Sequence, residues 1–369
     1  VPTTAFSQDI LHILLIGGDS NYRLDLNTDT MIVVVLNRKT GQVSLLSIPR
    51  DLWVYIPTWG YGRINTAHRI GFRAQYEGRG PALLARTIEE NLGIPIDHWV
   101  RISYNGFVQA INEVGGVEMT VPCPVNLAYH PDDPPELIIQ PGVYHFDGLT
   151  ALRYVRTRKG QSDFERSQRQ QEFIKSVWRQ FRSPETIPKI PALWGALKSS
   201  FATDLTLGDI LALAPTALEL RPHRVRSRYI GRGQVTGWIT PAGAQVLIPN
   251  PERVAEVVAS LYTPPGAARE QTANEAVRLQ VRNGTWRPQL ALIGADQLTW
   301  YGFEVADTAP ADRRDHQKTK LIVYNDRPQA VALLRQVLNI EERWVTYQPD
   351  RSQPADIQVI LGDDYDPCQ

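Results

Sequence analysis

Three observations predict an α/β protein of two domains. Ile10 to Ile16, Met31 to Leu36 and Val43 to Ile48 are apolar, β-branched runs bounded by turn residues, the pattern of adjacent buried strands. Later segments show helical spacing of apolar residues, some opened by Pro and closed by Gly. Finally, 369 residues exceed the usual single core. The polar stretch 263–276, with Pro and Gly and no periodicity, reads as the linker. The expected organisation is a main domain over residues 1–262, comprising a core of about residues 10–182 and a helical extension over 183–262, followed by a small α/β unit over 277–364.

Gly17-Gly18 and Lys39-Thr40-Gly41 punctuate the first three strands. Between the first two lies GGDSNYRLDLNTDT, with Asp19 where one strand ends and Asp29 where the next begins. Two carboxylates at neighbouring strand ends suit a shared hard cation such as Mg²⁺, although propensity alone also accounts for them as turn and cap residues. The third strand runs into Ser47-Ile48-Pro49-Arg50-Asp51. Pro49 stops the pairing, so Arg50 projects from a strand end, the usual place for a site in an α/β sheet; the alternative is a local salt bridge with Asp51. Gly60 to Phe72, holding Arg63, Asn65 and His68, reads as a loop opening onto a helix. Pro81 to Leu92 is a helix with Leu83, Leu84, Ile88 and Leu92 on one face. Trp99 to Ile102 follows as a strand, Tyr104 to Val114 as a helix ended by Gly115-Gly116, and Val117 to Val121 as a strand. Residues 122–141 are Pro-rich and read as a long surface excursion.

Arg153 to Gln171, RYVRTRKGQSDFERSQRQQ, concentrates charge. Arg153, Arg156, Arg158, Lys159, Arg166 and Arg169 face only Asp163 and Glu165, in a chain that balances 39 basic with 39 acidic residues. The planar guanidinium fork suits phosphate or carboxylate, which points to a bound polyanion; the competing account is a solvated helix face. Arg156 and Arg158 are expected at a strand end. Ser162 to Phe181 reads as a long helix with Arg166 and Gln170 on one face and Asp163 one turn earlier. Helices near 187–199, 207–220 and 251–262 and a strand at 225–230 complete the domain. The C-terminal unit alternates strands 277–281, 303–305, 320–324 and 357–361 with helices 290–301 and 328–338.

A formal net charge of zero argues against bulk attraction to nucleic acid, and no run of 18 apolar residues occurs. The start at Val1 suggests that something N-terminal has been trimmed. Cys123 and Cys368, far apart and expected in different domains, give no readable disulfide framework or metal cluster. The histidines have no metal-ligand spacing, and neither a Walker loop nor GxGxxG is present.

Taken in order, Asp19, Asn27-Thr28-Asp29-Thr30-Met31, Ser47-Ile48-Pro49-Arg50-Asp51, Arg63-Ile64-Asn65, Gly115-Gly116-Val117 and Arg156-x-Arg158 followed by Asp163-x-x-Arg166-x-x-Arg169-Gln170 resemble the LytR-CpsA-Psr family over about residues 10–262. Val281-Arg282-Asn283-Gly284 and Ile360-Leu361-Gly362-Asp363 resemble the LytR C-terminal domain. The resemblance implies a central mixed β-sheet flanked by helices, with a lipid tail in an apolar tunnel between them. It also implies a membrane-anchored, extracytoplasmic phosphotransferase that moves a glycopolymer from a polyprenyl-pyrophosphate carrier to peptidoglycan, with pyrophosphatase activity as a further expectation. Carried over by position, Asp19 and Asp29 hold Mg²⁺ (or Mn²⁺), Arg50, Arg156, Arg158, Arg166 and Gln170 grip the pyrophosphate, and Asp163 orients the arginines or helps activate the acceptor. Arg63 matches a basic family position. The family usually has Arg where this chain has Asn27, so either Arg23 substitutes or the phosphate grip is weaker. A non-catalytic polyprenyl-phosphate or glycan-binding protein is the first alternative function, and a transcriptional regulator is the second.

Overall fold

The computed structural model describes residues 9–18, 27–128, 133–134, 137–159, 162–182 and 188–368. Asp19 and Arg23 lie outside them. Strands β1 (Ile10–Gly18), β2 (Thr28–Asn37) and β3 (Gln42–Ser47) form an antiparallel meander. A hairpin of β4 (Trp53–Ile56) and β5 (Gly60–Arg63) leads into α1 (Ala67–Arg73) and α2 (Arg79–Leu92); β5 takes the start of the segment 60–72 expected as a loop opening onto a helix, and α1 is that helix. β6 (His98–Ser103) then runs parallel to β1, which makes the sheet mixed, and α3 (Tyr104–Glu113) leaves its end.

After β7 (Val117–Val121), β8 (Val125–Asn126), β9 (Ile138–Ile139) and β10 (Gly142–Phe146), the chain returns through α4 (Gly148–Arg156) and α5 (Asp163–Phe181). It continues through α6 (Ile190–Leu197), β11 (Phe201–Thr203), α7 (Leu207–Glu219) and β12 (Val225–Tyr229). The hairpin of β13 (Val235–Ile239) and β14 (Gln245–Pro249) then precedes α8 (Pro251–Ser260). The central sheet has the order β11-β6-β1-β2-β3-β12.

The first three strands are apolar on both faces because both faces are covered. Leu14, Ile16, Met31, Val33, Leu46 and Ile48 share a core with Leu83, Leu84 and Ile88 of α2 and Val254 and Val258 of α8. On the opposite face Gln171 of α5, itself buried, donates to Ser47 Oγ (2.8 Å) and the Arg228 carbonyl (3.0 Å). Gly17 is required where β1 meets β2, since a Cβ there would lie 2.9 Å from the Thr30 side chain.

Three expectations are corrected, and one point the sequence leaves open, the oxidation state of the cysteines, is answered. Arg156 and Arg158 are not at a strand end: the segment is helix α4, whose N-cap Asp147 accepts from the Thr150 amide at 2.8 Å and whose residues Ala151, Tyr154 and Val155 are buried at helical spacing. Residues 263–276 are not a featureless linker, because they contain α9 (Ala267–Asn274), where Glu270 pairs with Arg224 and Thr272 is buried. Cys123 and Cys368 form a disulfide. They share one compact unit, because Glu118–His145 and Arg221–Val225 group with Pro264–Gln369.

That second unit has a sheet of order β16-β15-β19-β17-β18, made of β15 (Arg278–Asn283), β16 (Glu304–Pro310), β17 (Lys320–Val323), β18 (Val345–Tyr347) and β19 (Ile357–Leu361). Helices α10 (Leu290–Thr299) and α11 (Pro328–Leu338) pack on it through Leu290, Leu298, Val331 and Leu334. No described helix is long and apolar enough to cross a membrane.

Candidate active site

Register places four chain ends at one edge of the central sheet. Gly18 of β1 pairs with Ser103 of β6, Gly17 with Thr30 of β2, and Ile32 of β2 with Ser47 of β3. The C-terminal ends of β1, β3 and β6 therefore meet the start of β2, and the residues just beyond them converge.

Asp29, on the second residue of β2, is the hub. Its Oδ1 accepts from Arg50 Nη1 at 2.7 Å and its Oδ2 from the Tyr104 hydroxyl at 2.8 Å. Burial by itself would raise the Asp29 pKa; the Tyr104 and Arg50 hydrogen bonds and the Arg50 and Arg166 charges outweigh it and hold the carboxyl below its ordinary range. Arg50 shows the converse. Burial opposes its charge, but the bond to Asp29 and the field of Asp51 hold its pKa above the ordinary value.

The basic stretch reaches the same place from α4 and α5. Arg166 is 4% exposed, and burial pushes its pKa down to about 10 against the opposing field of Asp163. It lies 2.7 Å from Asp163 Oδ1 and donates from Nη2 to the Asp29 carbonyl at 3.3 Å. Arg158 Nε is 3.5 Å from the same Asp163 oxygen. Arg156 stacks its guanidinium 3.5 Å from the centroid of the Tyr104 ring, whose hydroxyl holds Asp29. Gln170 donates to Thr30 Oγ1 (2.9 Å) and to the Val155 carbonyl (3.2 Å). From the β4–β5 side, Asp51 accepts from Arg50 and Arg63, each at 3.4 Å.

The structure thus brings together Asp29, Arg50, Arg63, Arg156, Arg158, Asp163, Arg166 and Gln170, while Asp19 and Arg23 lie outside the described residues. Arg169 serves the fold instead. Buried, it donates to the carbonyls of Tyr154 and Thr157 and pins the corner between α4 and α5. Sequence reasoning missed Tyr104 and did not use Asp51 as a bridge. It also missed Arg101, a buried cation of β6 whose Nη2 lies 3.8 Å from where a Cβ on Gly18 would sit. The available signal for Tyr104 was its position immediately after a strand end.

Among the described residues, no group of three His, Cys, Asp or Glu side chains forms a metal cage. Mg²⁺ does not need one, because it takes one or two carboxylates and completes its shell with water and phosphate oxygens. Asp29 supplies an ionised carboxylate. Asn27, two residues earlier in the chain, has a buried side-chain oxygen with no hydrogen-bond partner among the described residues. An orphaned hard oxygen so near a carboxylate in the chain fits such a cation.

A mixed sheet between helix layers, with arginines and carboxylates gathered at its strand ends, defines an α/β protein with a cation-rich strand-end site. The chain belongs to the LytR-CpsA-Psr family, which matches residues 3–261; residues 276–365 match the family described as LytR cell envelope-related transcriptional attenuator. The polyisoprenyl-teichoic acid–peptidoglycan teichoic acid transferase TagT of Bacillus subtilis is 31% identical over 257 residues, which is 68% of this chain and 75% of that protein. The probable cell wall biosynthesis protein LcpB of Corynebacterium glutamicum is 42% identical over 209 residues, 56% of this chain and 46% of the relative, so the match spans less than half of LcpB. The solved structure of TagT bound to LI-WTA aligns with a TM-score of 0.56 at 28% identity, covering 70% of this chain and 94% of that one.

Proposed function

We propose that the protein is a phosphotransferase of the cell envelope that moves a glycopolymer from a polyprenyl-pyrophosphate carrier to peptidoglycan through a phosphodiester. One observation carries the reading. Arg50, Arg63, Arg156, Arg158 and Arg166 converge against Asp29, Asp51 and Asp163, and five guanidinium groups against three carboxylates leave a local charge of +2 in a chain whose net charge is zero. TagT, named as such a transferase, supports the class of reaction.

In the proposed reaction an acceptor sugar hydroxyl attacks the sugar-linked phosphorus in line. A new P–O bond forms, the bridging P–O bond of the pyrophosphate breaks, polyprenyl phosphate leaves, and the hydroxyl proton passes to solvent. No protein nucleophile is required. Negative charge builds on the bridging and equatorial oxygens, and guanidinium groups already fixed by their carboxylates stabilise it with little reorganisation. Asp163 positions Arg158 and Arg166, and Tyr104 positions both Asp29 and Arg156. Asp29, Asn27 and Asp19 would hold Mg²⁺, which when bound supplies further charge neutralisation to the phosphates.

The test is incubation with a polyprenyl-pyrophosphate-linked glycan and peptidoglycan, with Mg²⁺ or Mn²⁺ or after chelation. Metal-dependent release of polyprenyl phosphate together with glycan covalently bound to peptidoglycan is expected. Tight carrier binding without product under any metal condition would replace this reading with that of a non-catalytic binding protein.

A further inference from the structure

The pairing between β4 and β5 does not stop at Arg63. The Ile64 amide donates to the Leu52 carbonyl at 2.8 Å and the Asn65 amide to the Arg50 carbonyl at 3.2 Å, so the one-turn 3₁₀ helix Ile64–Thr66 carries Asn65 alongside Arg50. The hydroxyl of Thr28, the first residue of β2, lies 3.5 Å from the Asn65 carbonyl. Asn65 is thereby fixed between the two segments that bear Asp29 and Arg50, whose side chains pair at 2.7 Å.

The main chain of Asn65 is employed, but its side chain is not. The residue is 4% exposed, and its buried Oδ1 has no hydrogen-bond partner among the described residues. Its neighbours Ile64 and Ala67 are fully buried and belong to the apolar core. The other buried amides described in the first unit serve as struts. Gln42 donates to the carbonyls of Leu261 and Thr263, and Gln171 to those of Leu45 and Arg228. A buried polar group that no protein group satisfies weakens a fold, and an apolar side chain would serve this position better. An amide kept there against the interest of the fold points to a ligand.

We propose that Asn65 is a substrate-binding residue of the arginine site, its carboxamide donating a hydrogen bond to a phosphoryl oxygen of the pyrophosphate. With no partner to fix it, the amide can turn about its last bond and present either Nδ2–H or Oδ1 to a ligand. Its surroundings select an anion. Arg50 stands beside it through the backbone contact and Arg63 lies two residues earlier, in a site whose five guanidinium groups exceed its carboxylates by two charges. A neutral donor adds a directed contact to the anion without placing a further positive charge among them. Direction as well as charge is needed, because in-line attack requires the phosphoryl group to be held in one orientation. The proposal rests on the transfer reading only in taking the bound anion to be a pyrophosphate.

Calorimetric titration with farnesyl pyrophosphate, which carries the diphosphate on a short prenyl chain without a glycan, tests it. Wild type should bind. Asn65→Leu should bind at least about tenfold more weakly, the loss expected for one hydrogen bond to a charged acceptor, and should melt at or above the wild-type temperature because it removes an orphaned polar group. Asn65→Asp, nearly equal in shape, should bind more weakly still, since a carboxylate repels the anion. Wild-type affinity in Asn65→Leu, equal or tighter binding by Asn65→Asp, or no binding by wild type would overturn the proposal. So would a lowered melting temperature in both variants, which would make the amide a part of the fold. The transfer reading fails separately: a wild type that binds the probe through Asn65 yet joins no glycan to peptidoglycan would remove that reaction and leave Asn65 as an anion ligand.

Discussion

Replacing Tyr104 by Phe removes a single oxygen and keeps the ring under Arg156. That oxygen donates 2.8 Å to Asp29 Oδ2, while Arg50 holds Oδ1. A hydrogen bond to an ionised acceptor is worth about 1.5–3 kcal/mol. The Asp29 side chain is 31% exposed, so water recovers part of the loss and the low end applies. About 1.5 kcal/mol corresponds to roughly a tenfold fall in kcat/KM.

The pH dependence separates positioning from mere stability. Asp29 is needed ionised, and its pKa is held low because the Tyr104 and Arg50 bonds outweigh burial. A depressed carboxylate contributes its full share above its unfolded-state pKa and loses it as pH falls through the folded one. Without the phenol that folded pKa rises, so the acid limb of the kcat/KM profile, followed by polyprenyl phosphate release, should move to higher pH while the alkaline limb stays. An unchanged rate and acid limb would refute the role of Tyr104. A uniform loss at every pH with a collapsed melting temperature would assign it to folding alone.

Arg156→Lys should lower kcat/KM about tenfold with little change in melting, because Lys lacks the planar stack on Tyr104 and the two-pronged contact to phosphate; an unchanged rate would make Arg156 structural. Asp163→Asn leaves the buried Arg166 without its carboxylate at 2.7 Å. Breaking a fully buried pair costs about 3–5 kcal/mol, but Asp163 is 37% exposed, so about 1–2 kcal/mol is expected in urea unfolding along with weaker turnover. Cys123→Ser/Cys368→Ser should destabilise the second unit by about 2–4 kcal/mol, read by its thermal unfolding, since the bond closes 245 residues of separation. Asn27→Ala should raise the Mg²⁺ concentration needed for half-maximal turnover; an unchanged requirement would remove its oxygen from the cation shell.

Local periodicity makes much of this fold readable. β1, β2, β3, α2 and α5 announce themselves because a strand apolar on both faces, or an apolar helical stripe, is written in consecutive residues. β5 is invisible because Gly60-Tyr61-Gly62 carries no apolar alternation, and its pairing comes from β4. α4 misleads through its charge, although Asp147 three residues before Thr150 is an available cap signal. α9 carries no large apolar residue and is held by Arg224 and a buried Thr272, neither of which its own pattern reveals. The disulfide joins chain segments whose proximity no local pattern encodes. At the site, the arginines are legible as residue types. Which of them join the site is not, because Arg166 and Arg169 look alike in sequence and differ only in what surrounds them.

The carboxylates explain why so many arginines can sit together without a ligand. Asp163 contacts both Arg158 and Arg166, Asp51 both Arg50 and Arg63, and Asp29 takes Arg50 through its side chain and Arg166 through its backbone. Three acids on three separate segments thus tie four of the five cations into one connected network, and Tyr104 links the fifth, Arg156, to Asp29. Like-charge repulsion is offset without cancelling the excess of +2, and the forks are held before an anion arrives, so binding costs less side-chain entropy. Counting charge along the chain could not foresee this. Asp29 and Asp51 lie more than a hundred residues from the basic stretch they balance, and only the shared sheet edge brings them to it.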